Sequence, residues 1–275
     1  MLYRIREQTS RTILSSTSGF LLAAGFTHSL TPARNCTFGC SYCYVPTMRV
    51  QGGLRMEDWR HWGHHTTFKA NAAELLRREL RPEHVIYCSP LTDPYQPAEG
   101  ERRLMPAVLA AVAANPPKVF VLQTRGPLIL RDLALLQAIP RLRISFSVTT
   151  DDEAVRQRFE PHCAPIAERL QVIRTLQAAG LRVHATLAPL LPCDAGRLAA
   201  MALEATDEDV IGDPLHVRSE KPHGATTREA GLRLMERYPD FDVAAALGTI
   251  EHAIVRAGRR FGTGPDAFGW LTTPP

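Results

Sequence analysis

Cys36-Thr37-Phe38-Gly39-Cys40-Ser41-Tyr42-Cys43 places three thiols in eight residues at the spacing CxxxCxxC, with an aromatic residue just before the last. Three is one fewer than a closed metal site takes. A structural zinc ion has four tetrahedral ligands, and an iron-sulfur cluster is generally held by four thiolates, so three leave one position for another ligand and for chemistry. A zinc ion completed by a distant cysteine or histidine, such as His28, is the other reading of the same loop.

Outward from this loop, short apolar runs alternate with amphipathic stretches, the pattern of βαβ units and a parallel sheet. Strands are expected at 26–31, 84–89, 118–123, 142–148, 181–188 and 209–212, and helices at 71–81, 102–114, 128–138, 165–179, 196–205, 227–237 and 243–259. Pro165 at the first turn and Gly180 just past the end punctuate one helix, and Asn71 with Glu74 reads as a capping box for another. Six parallel strands fall short of the eight that close a barrel. The expected fold class is therefore α/β, a partial (β/α)6 barrel with a helical C-terminal extension; an open doubly wound sheet is the alternative. The chain divides into an N-terminal segment at 1–25, the barrel at 26–216 and a helical extension packed on it at 217–275. In such folds ligands bind in the loops at the carboxyl ends of the strands. The cysteine loop follows the first strand, TDPYQPAE (92–99) the second, and Thr124-Arg125 the third, so the unusual residues gather at one mouth.

A length of 275 residues suits an α/β enzyme with a sizeable core, and the net charge is only +4. Of the 32 basic residues only Lys69, Lys118 and Lys221 are lysines. Arginine suits bidentate phosphate recognition, yet Arg, Ala and Leu are enriched along the whole chain, as a GC-rich coding background also gives. No dense basic block marks a nucleic-acid tail. No run approaches the roughly 18 apolar residues of a membrane span, and MLYRIREQTSRT lacks the apolar stretch of a secretory signal, so the cytoplasm is the expected compartment. Apart from the three in the loop, Cys88, Cys163 and Cys193 are scattered, which is not a disulfide framework.

The CxxxCxxC run, the aromatic before its third cysteine, its place after strand one and the six βα units resemble the radical S-adenosylmethionine (SAM) superfamily. The stretches TPARNCTFGCSYCYVP, TDPYQPAE, LQTRGPLILRDLALL, ISFSVTT, the later FEP and ERL, and LAPLLP are similar, in order, to its spore photoproduct lyase-like branch. KANAAELLRREL and TDPYQPAEG resemble bacterial members of that branch whose substrate is unassigned. This likeness spans about residues 27 to 195. It implies a 4Fe-4S cluster on Cys36, Cys40 and Cys43 whose remaining iron binds SAM, and one-electron cleavage of SAM to methionine and a 5′-deoxyadenosyl radical. It also implies cofactor contacts from Tyr42, Arg125, Ser147 and Ala188, and an electron donor of the flavodoxin or ferredoxin type. Arg125 offers a cation to the cofactor carboxylate and Ser147 a hydroxyl to its methionyl or ribose part. Thr92 and Asp93 are read either as reaching the cofactor ammonium or as turn chemistry before Pro94.

The repair lyases of the branch carry a hydrogen-donating cysteine three residues before the Asp of the strand-two turn, where this chain has Pro90. Cys88 is read either as a replacement donor or as an apolar residue of the core. Tyr44 matches a hydrogen-relaying tyrosine and also reads as an aromatic cover for the cluster. The segment 59–68, with His61, His64 and His65 among two tryptophans, is read either as a metal or substrate lid or as a loop packed beside the cluster; Cys193 is read either as a second thiol donor at the mouth or as a structural residue, and His162 and Cys163 belong to the strand-four loop. The leading reading is a radical SAM enzyme of unidentified substrate. DNA-lesion repair, with DNA as partner, and a non-catalytic zinc- or cluster-bearing nucleic-acid-binding module are the alternatives.

Overall fold

The computed structural model describes residues 3–48, 61–221 and 226–271. In chain order its strands are β1 (Arg4–Gln8), β2 (Leu14–Ser16), β3 (His28–Leu30), β4 (Ala33–Arg34), β5 (His65–Lys69), β6 (Val85–Cys88), β7 (Val119–Thr124), β8 (Leu142–Ser147), β9 (Val183–Leu187), β10 (Val210–Gly212) and β11 (Phe261–Gly262). Eight of these form one sheet in the order β11-β10-β9-β8-β7-β6-β3-β2, parallel except at the β2 edge, which runs antiparallel to β3. The six strands read from the sequence are β3 and β6 to β10, side by side in this sheet. The sheet is open, so the architecture is a partial barrel. No helix among the described residues is long and apolar enough to cross a membrane.

Strand alternation sends successive side chains to opposite faces. On the outer face Leu30, Ile86, Cys88, Leu122, Ile144, Phe146, Ala185 and Leu187 are fully buried. They share one core with helical residues such as Leu76, Val108, Ile173, Leu198 and Ile250. Each large aliphatic side chain buried this way contributes about 1.5–3 kcal/mol, which is what clamps the helices to the sheet. The inner face is different. It carries Tyr87, Val121 and Ile211, which share a small core with Phe26 and Phe268, and the more polar Gln123, Ser145, Ser147, His184 and Thr186.

One end of that inner face is filled by the chain's own last described segment, a run of 3-10 turns at Gly264–Leu271. Phe268 packs edge-on against Phe26 (5.1 Å) and Tyr87 (5.8 Å). Trp270 stacks on His184 at 5.3 Å and lies under the Arg143 guanidinium at 4.9 Å. Arg143 and His184 stand at the starts of β8 and β9, so the plug occupies the amino end of the sheet and leaves the carboxyl end for the site. The C-terminal extension is therefore more than helices: after Glu229–Met235 and Val243–Arg256 it adds β11 to the sheet edge and then fills the barrel floor.

Other local expectations need correction. The helix expected at 102–114 is two, Glu99–Arg102 and Met105–Ala114, parted by Arg103 in a left-handed conformation (φ 51°). Pro106 explains the break, since it lacks an N–H and fits only a first turn. Asn71 does not cap its helix; its amide exchanges two 2.9 Å hydrogen bonds with the Ser10 backbone and ties the N-terminal segment down. The expected loop at 59–68 contains the start of β5, which pairs with β1 and β4 in a small second sheet; Trp59 lies outside the described residues.

Candidate functional site

The cysteine loop follows β4, an edge strand of the small second sheet, and is tied on both flanks. On one side Gln96 Oε1 accepts from the Thr37 N–H (2.8 Å) and hydroxyl (3.1 Å), and the Asn35 carbonyl accepts from Thr92 Oγ1 (2.6 Å). On the other, the Ser41 N–H donates to the Phe159 carbonyl (2.9 Å). Gly39 (φ 63°) lies so close to Gly63 that a Cβ on Gly63 would stand 2.8 Å from the Gly39 Cα. Only two residues without side chains allow the 61–64 backbone to cover the loop this tightly.

Cys36 and Cys40 are buried and Cys43 half-buried, in one apolar cluster with Phe38, Tyr42, Val45, Trp62, Phe159, Cys163 and Leu191. Burial pushes the Cys36 thiol up and the Cys43 thiol up to about 12. Cys40 moves the other way, chiefly through a hydrogen bond with Cys163, whose Sγ lies 3.9 Å away. A zinc site needs four donors around one ion. Among the described residues no three His, Cys, Asp or Glu side chains are already grouped to hold a metal ion of any kind, and His28 lies tilted against the His84 ring (4.1 Å) and bonds Thr27 Oγ1 (3.0 Å). Three soft sulfurs, two of them buried and one half-buried, in one apolar cluster with cations beside it fit an iron-sulfur cluster by the chemistry of their donors.

Those cations are Arg125 and Arg228. Arg125, just past β7, donates to both the Tyr42 hydroxyl and Glu160 Oε1, and its guanidinium sits 5.7 Å from the Tyr42 ring centre. Glu160 is fully buried. It accepts from Tyr42, Arg125 and Thr149 (3.0 Å) through one oxygen, and from fully buried Arg169 (2.5 Å) through the other. Burial alone would raise the Glu160 pKa, but Arg169, Arg125 and the bond from Tyr42 outweigh it and hold the carboxyl at about 2. Arg228 comes from the C-terminal segment, half-buried; desolvation lowers its pKa while the charges of Cys43 and Cys40 pull it back.

The sequence-derived candidates thus fall into three groups. Arg125 meets the cysteine loop at Tyr42, and Glu160 accepts from both. Ser147, at the carboxyl end of β8 on the inner face, is 1% exposed and its hydroxyl has no hydrogen-bond partner, which fits a hydroxyl kept for a ligand; Ala188, half-buried, follows β9 on the same rim. Thr92 and Asp93 are engaged within the protein. Thr92 bonds Asn35, and Asp93 accepts from Thr124 Oγ1 (2.6 Å) and from the N–H groups of Tyr95 and Arg125 (2.9 Å each), fastening the strand-two loop to the end of β7.

The hydrogen-donor candidates separate. Tyr44 lies at the mouth, partly exposed, and its hydroxyl donates to the Pro90 carbonyl. Cys88 does not share the inner face: it is fully buried on the outer one with Leu30, Ile86 and Leu122. The reason is strand parity, because Tyr87 takes the inward position. Cys193 lines an outer groove with Asp152, Arg197, Tyr238 and Phe241. Sequence reasoning gave no role to Glu160 or Arg169, although FEP and ERL, which contain them, were among the matching stretches, and it assigned none to Arg228.

A roof covers the cysteines. The Arg228 N–H points to the Tyr42 carbonyl (3.4 Å), the Thr47 hydroxyl donates to the Thr226 carbonyl (3.0 Å), and Leu234 and Met235 pack on the cysteine cluster. Gly231 permits the contact, since a Cβ there would lie 2.7 Å from the Tyr42 Cα. Gly231→Ala is therefore expected to cost about 1–3 kcal/mol as overpacking against backbone. Urea unfolding should show a lower midpoint with an unchanged slope; an unaltered midpoint would mean the roof is not seated on Tyr42.

Comparison with known proteins adds the following. The family model described as Radical SAM superfamily matches residues 30–194. A Mycobacterium tuberculosis protein described as uncharacterized is 32% identical over 179 residues, 62% of this chain and 51% of that one. A protein of Acidianus two-tailed virus, similarly described, is 27% identical over 204 residues, 68% and 66% of the two chains. The chain thus spans about half the length of the mycobacterial relative. Among solved structures, spore photoproduct lyase complexed with dinucleoside spore photoproduct is similar at a TM-score of 0.62 and 15% identity, over 94% of this chain and 82% of the lyase. Streptococcus suis SuiB bound to S-adenosylmethionine is similar at a TM-score of 0.50 and 13% identity, over 86% of this chain and 49% of SuiB. At these identities the likeness is one of fold.

Proposed function

Since this chain belongs to the radical SAM superfamily, we propose that Cys36, Cys40 and Cys43 hold a 4Fe-4S cluster and that the protein reductively cleaves S-adenosylmethionine to act on a substrate bound at the barrel mouth. The observation that carries this reading is one apolar cluster shared by buried Cys36 and Cys40 and half-buried Cys43, with Arg125 and Tyr42, at the carboxyl end of an inner face whose Ser147 hydroxyl is unpartnered. When bound, such a cluster supplies the single electron that cleaves SAM to methionine and a 5′-deoxyadenosyl radical.

The chain's own residues do the positioning. Glu160 fixes Arg125 so that the guanidinium is oriented before any ligand arrives, which lowers the ordering needed on binding. When the cofactor is bound, Arg125 would meet its carboxylate, Ser147 its ribose or methionyl part and the backbone at Tyr42 its adenine side, with Ala188 a further contact on the same rim. Thr92 and Asp93 act by holding the strand-two loop in place. The roof from Arg228 to Met235 keeps water from the cysteines. A flavodoxin- or ferredoxin-type donor is the proposed source of electrons. Anaerobic loading with iron and sulfide should give a brown protein absorbing near 400 nm, roughly where iron-sulfur charge transfer falls. A colourless, zinc-loaded protein would support the non-catalytic module instead.

DNA-lesion repair is a second reading, favoured by the likeness of the fold to spore photoproduct lyase. Against it, the position of the lyase's hydrogen-donating cysteine is Pro90, whose carbonyl accepts from Tyr44, and Cys88 faces the outer core. The loaded protein is expected to leave thymine-dimer-containing DNA unreversed while still cleaving SAM. Chromatographic detection of restored thymines would move the assignment to repair.

A further inference from the structure

Cys163 takes no part in the function proposed above. It sits on the turn that follows the helix Glu153–Phe159, three residues after Glu160. Both of its backbone polar groups are held: the N–H donates to the Glu160 carbonyl (3.0 Å), and the carbonyl accepts from the buried Arg156 guanidinium (2.8 Å). A backbone anchored at both groups gives the side chain a defined direction. That side chain is 6% exposed and meets Cys40 Sγ at 3.9 Å, in hydrogen-bond range for two sulfurs. It lies in the same buried cluster as all three cysteines of the loop.

A thiol is a weak donor and a sulfur a weak acceptor, so the pair has one natural division of labour once Cys40 gives up its proton to iron. Hydrogen bonds to cluster sulfurs are among the terms that set an iron-sulfur potential, and groups around the ligands orient them. We propose that Cys163 is a positioning residue for the cluster: its S–H donates to the Cys40 sulfur, stabilises negative charge there, and so raises the reduction potential of the cluster on Cys36, Cys40 and Cys43. The direction follows because the reduced cluster is the more negative state. The inference rests on the cluster reading of the site.

The test compares wild type, Cys163→Ala and Cys163→Ser, each loaded anaerobically with iron and sulfide and assayed for iron per chain. Each is then titrated potentiometrically, with the reduced cluster followed by electron paramagnetic resonance. Removal of the donor in C163A should shift the one-electron equilibrium at least tenfold toward the oxidised state, about 59 mV more negative. C163S, which keeps an O–H donor, should restore most of the difference. Equal potentials in all three fully loaded proteins would overturn the inference and leave Cys163 a packing residue. Should C163A not retain iron, Cys163→Val serves as the donor-less variant. Loss of iron from both donor-less variants with retention by C163S counts for the proposal, and loss from C163S as well counts against it. A wild type that takes up no cluster would instead bring down the function proposed above, an outcome plainly distinct from a cluster whose potential ignores Cys163.

Discussion

A Cys40→Ala variant is expected to fold, to bind little or no iron after anaerobic reconstitution, and to form no detectable 5′-deoxyadenosine from S-adenosylmethionine and dithionite. Of the three cysteines, Cys40 is the one whose thiol is already shifted toward ionisation, through its contact with Cys163. It is also flanked by the Ser41 N–H bond that ties the loop to Phe159. Removing it leaves two ligands where three are the minimum for the cluster proposed. The fold should survive, because the outer core of Leu122, Ile144 and Ile173 is formed without the loop. Iron analysis and far-ultraviolet circular dichroism together check this. A variant with native ellipticity and a full complement of iron would place the cluster elsewhere.

Glu160→Gln is expected to be the most destabilising single polar substitution at the site. Glu160 and Arg169 are both fully buried, and Arg125 is nearly so. Breaking such a pair costs about 3–5 kcal/mol, because the partner is left as an uncompensated buried charge; that is a large share of the roughly 5–15 kcal/mol by which a domain is stable. Replacing Arg169 by methionine in the same chain should recover part of the loss, which a double-mutant cycle would quantify. The pH dependence has a definite sign. The folded-state pKa of Glu160, about 2, lies below its ordinary 4.5. Its contribution is therefore complete above about pH 4.5 and is lost as the pH falls from there toward 2. Urea titrations across that window should show wild-type stability falling more steeply than that of E160Q. Parallel curves would mean that Glu160 is not held ionised by its arginines.

Much of the sheet was legible because its strands are buried on the outer face and apolar there. VIYC, VFVLQT, LRISFS and VHATL each carry that pattern, and the helix Ile166–Ala178 matches its Pro and Gly punctuation to within a residue. The elements that escaped have no such pattern. RIREQ of β1 is an edge strand with Ile5 as its one apolar residue, and β11 is two residues long and exists through its pairing with β10. The helix Glu153–Phe159, capped by the Asp152 side chain, is short and was not foreseen.

At the site, a motif signal singled out the cysteines, Tyr42, Arg125 and Ser147, and the fold sets them at the carboxyl end of the strands. Glu160 could not be weighed from sequence, since a glutamate between Phe159 and Pro161 looks like any loop acid until two arginines and a tyrosine are seen to converge on it. Cys88 turned on strand parity: a shift of one residue exchanges it with Tyr87, and no motif fixed that register. Arg228 and Gly231 lie beyond the family-matched span, and only the folded chain brings them over the cysteine loop.

The measurement that bears most directly on the central claim is the yield of 5′-deoxyadenosine from the wild-type protein under anaerobic conditions, with iron content determined on the same sample. A protein carrying four irons per chain, given dithionite and S-adenosylmethionine, should form 5′-deoxyadenosine and methionine in equal amounts, even with no substrate identified. The same fully loaded protein forming neither product would contradict the claim that Cys36, Cys40 and Cys43 serve SAM cleavage.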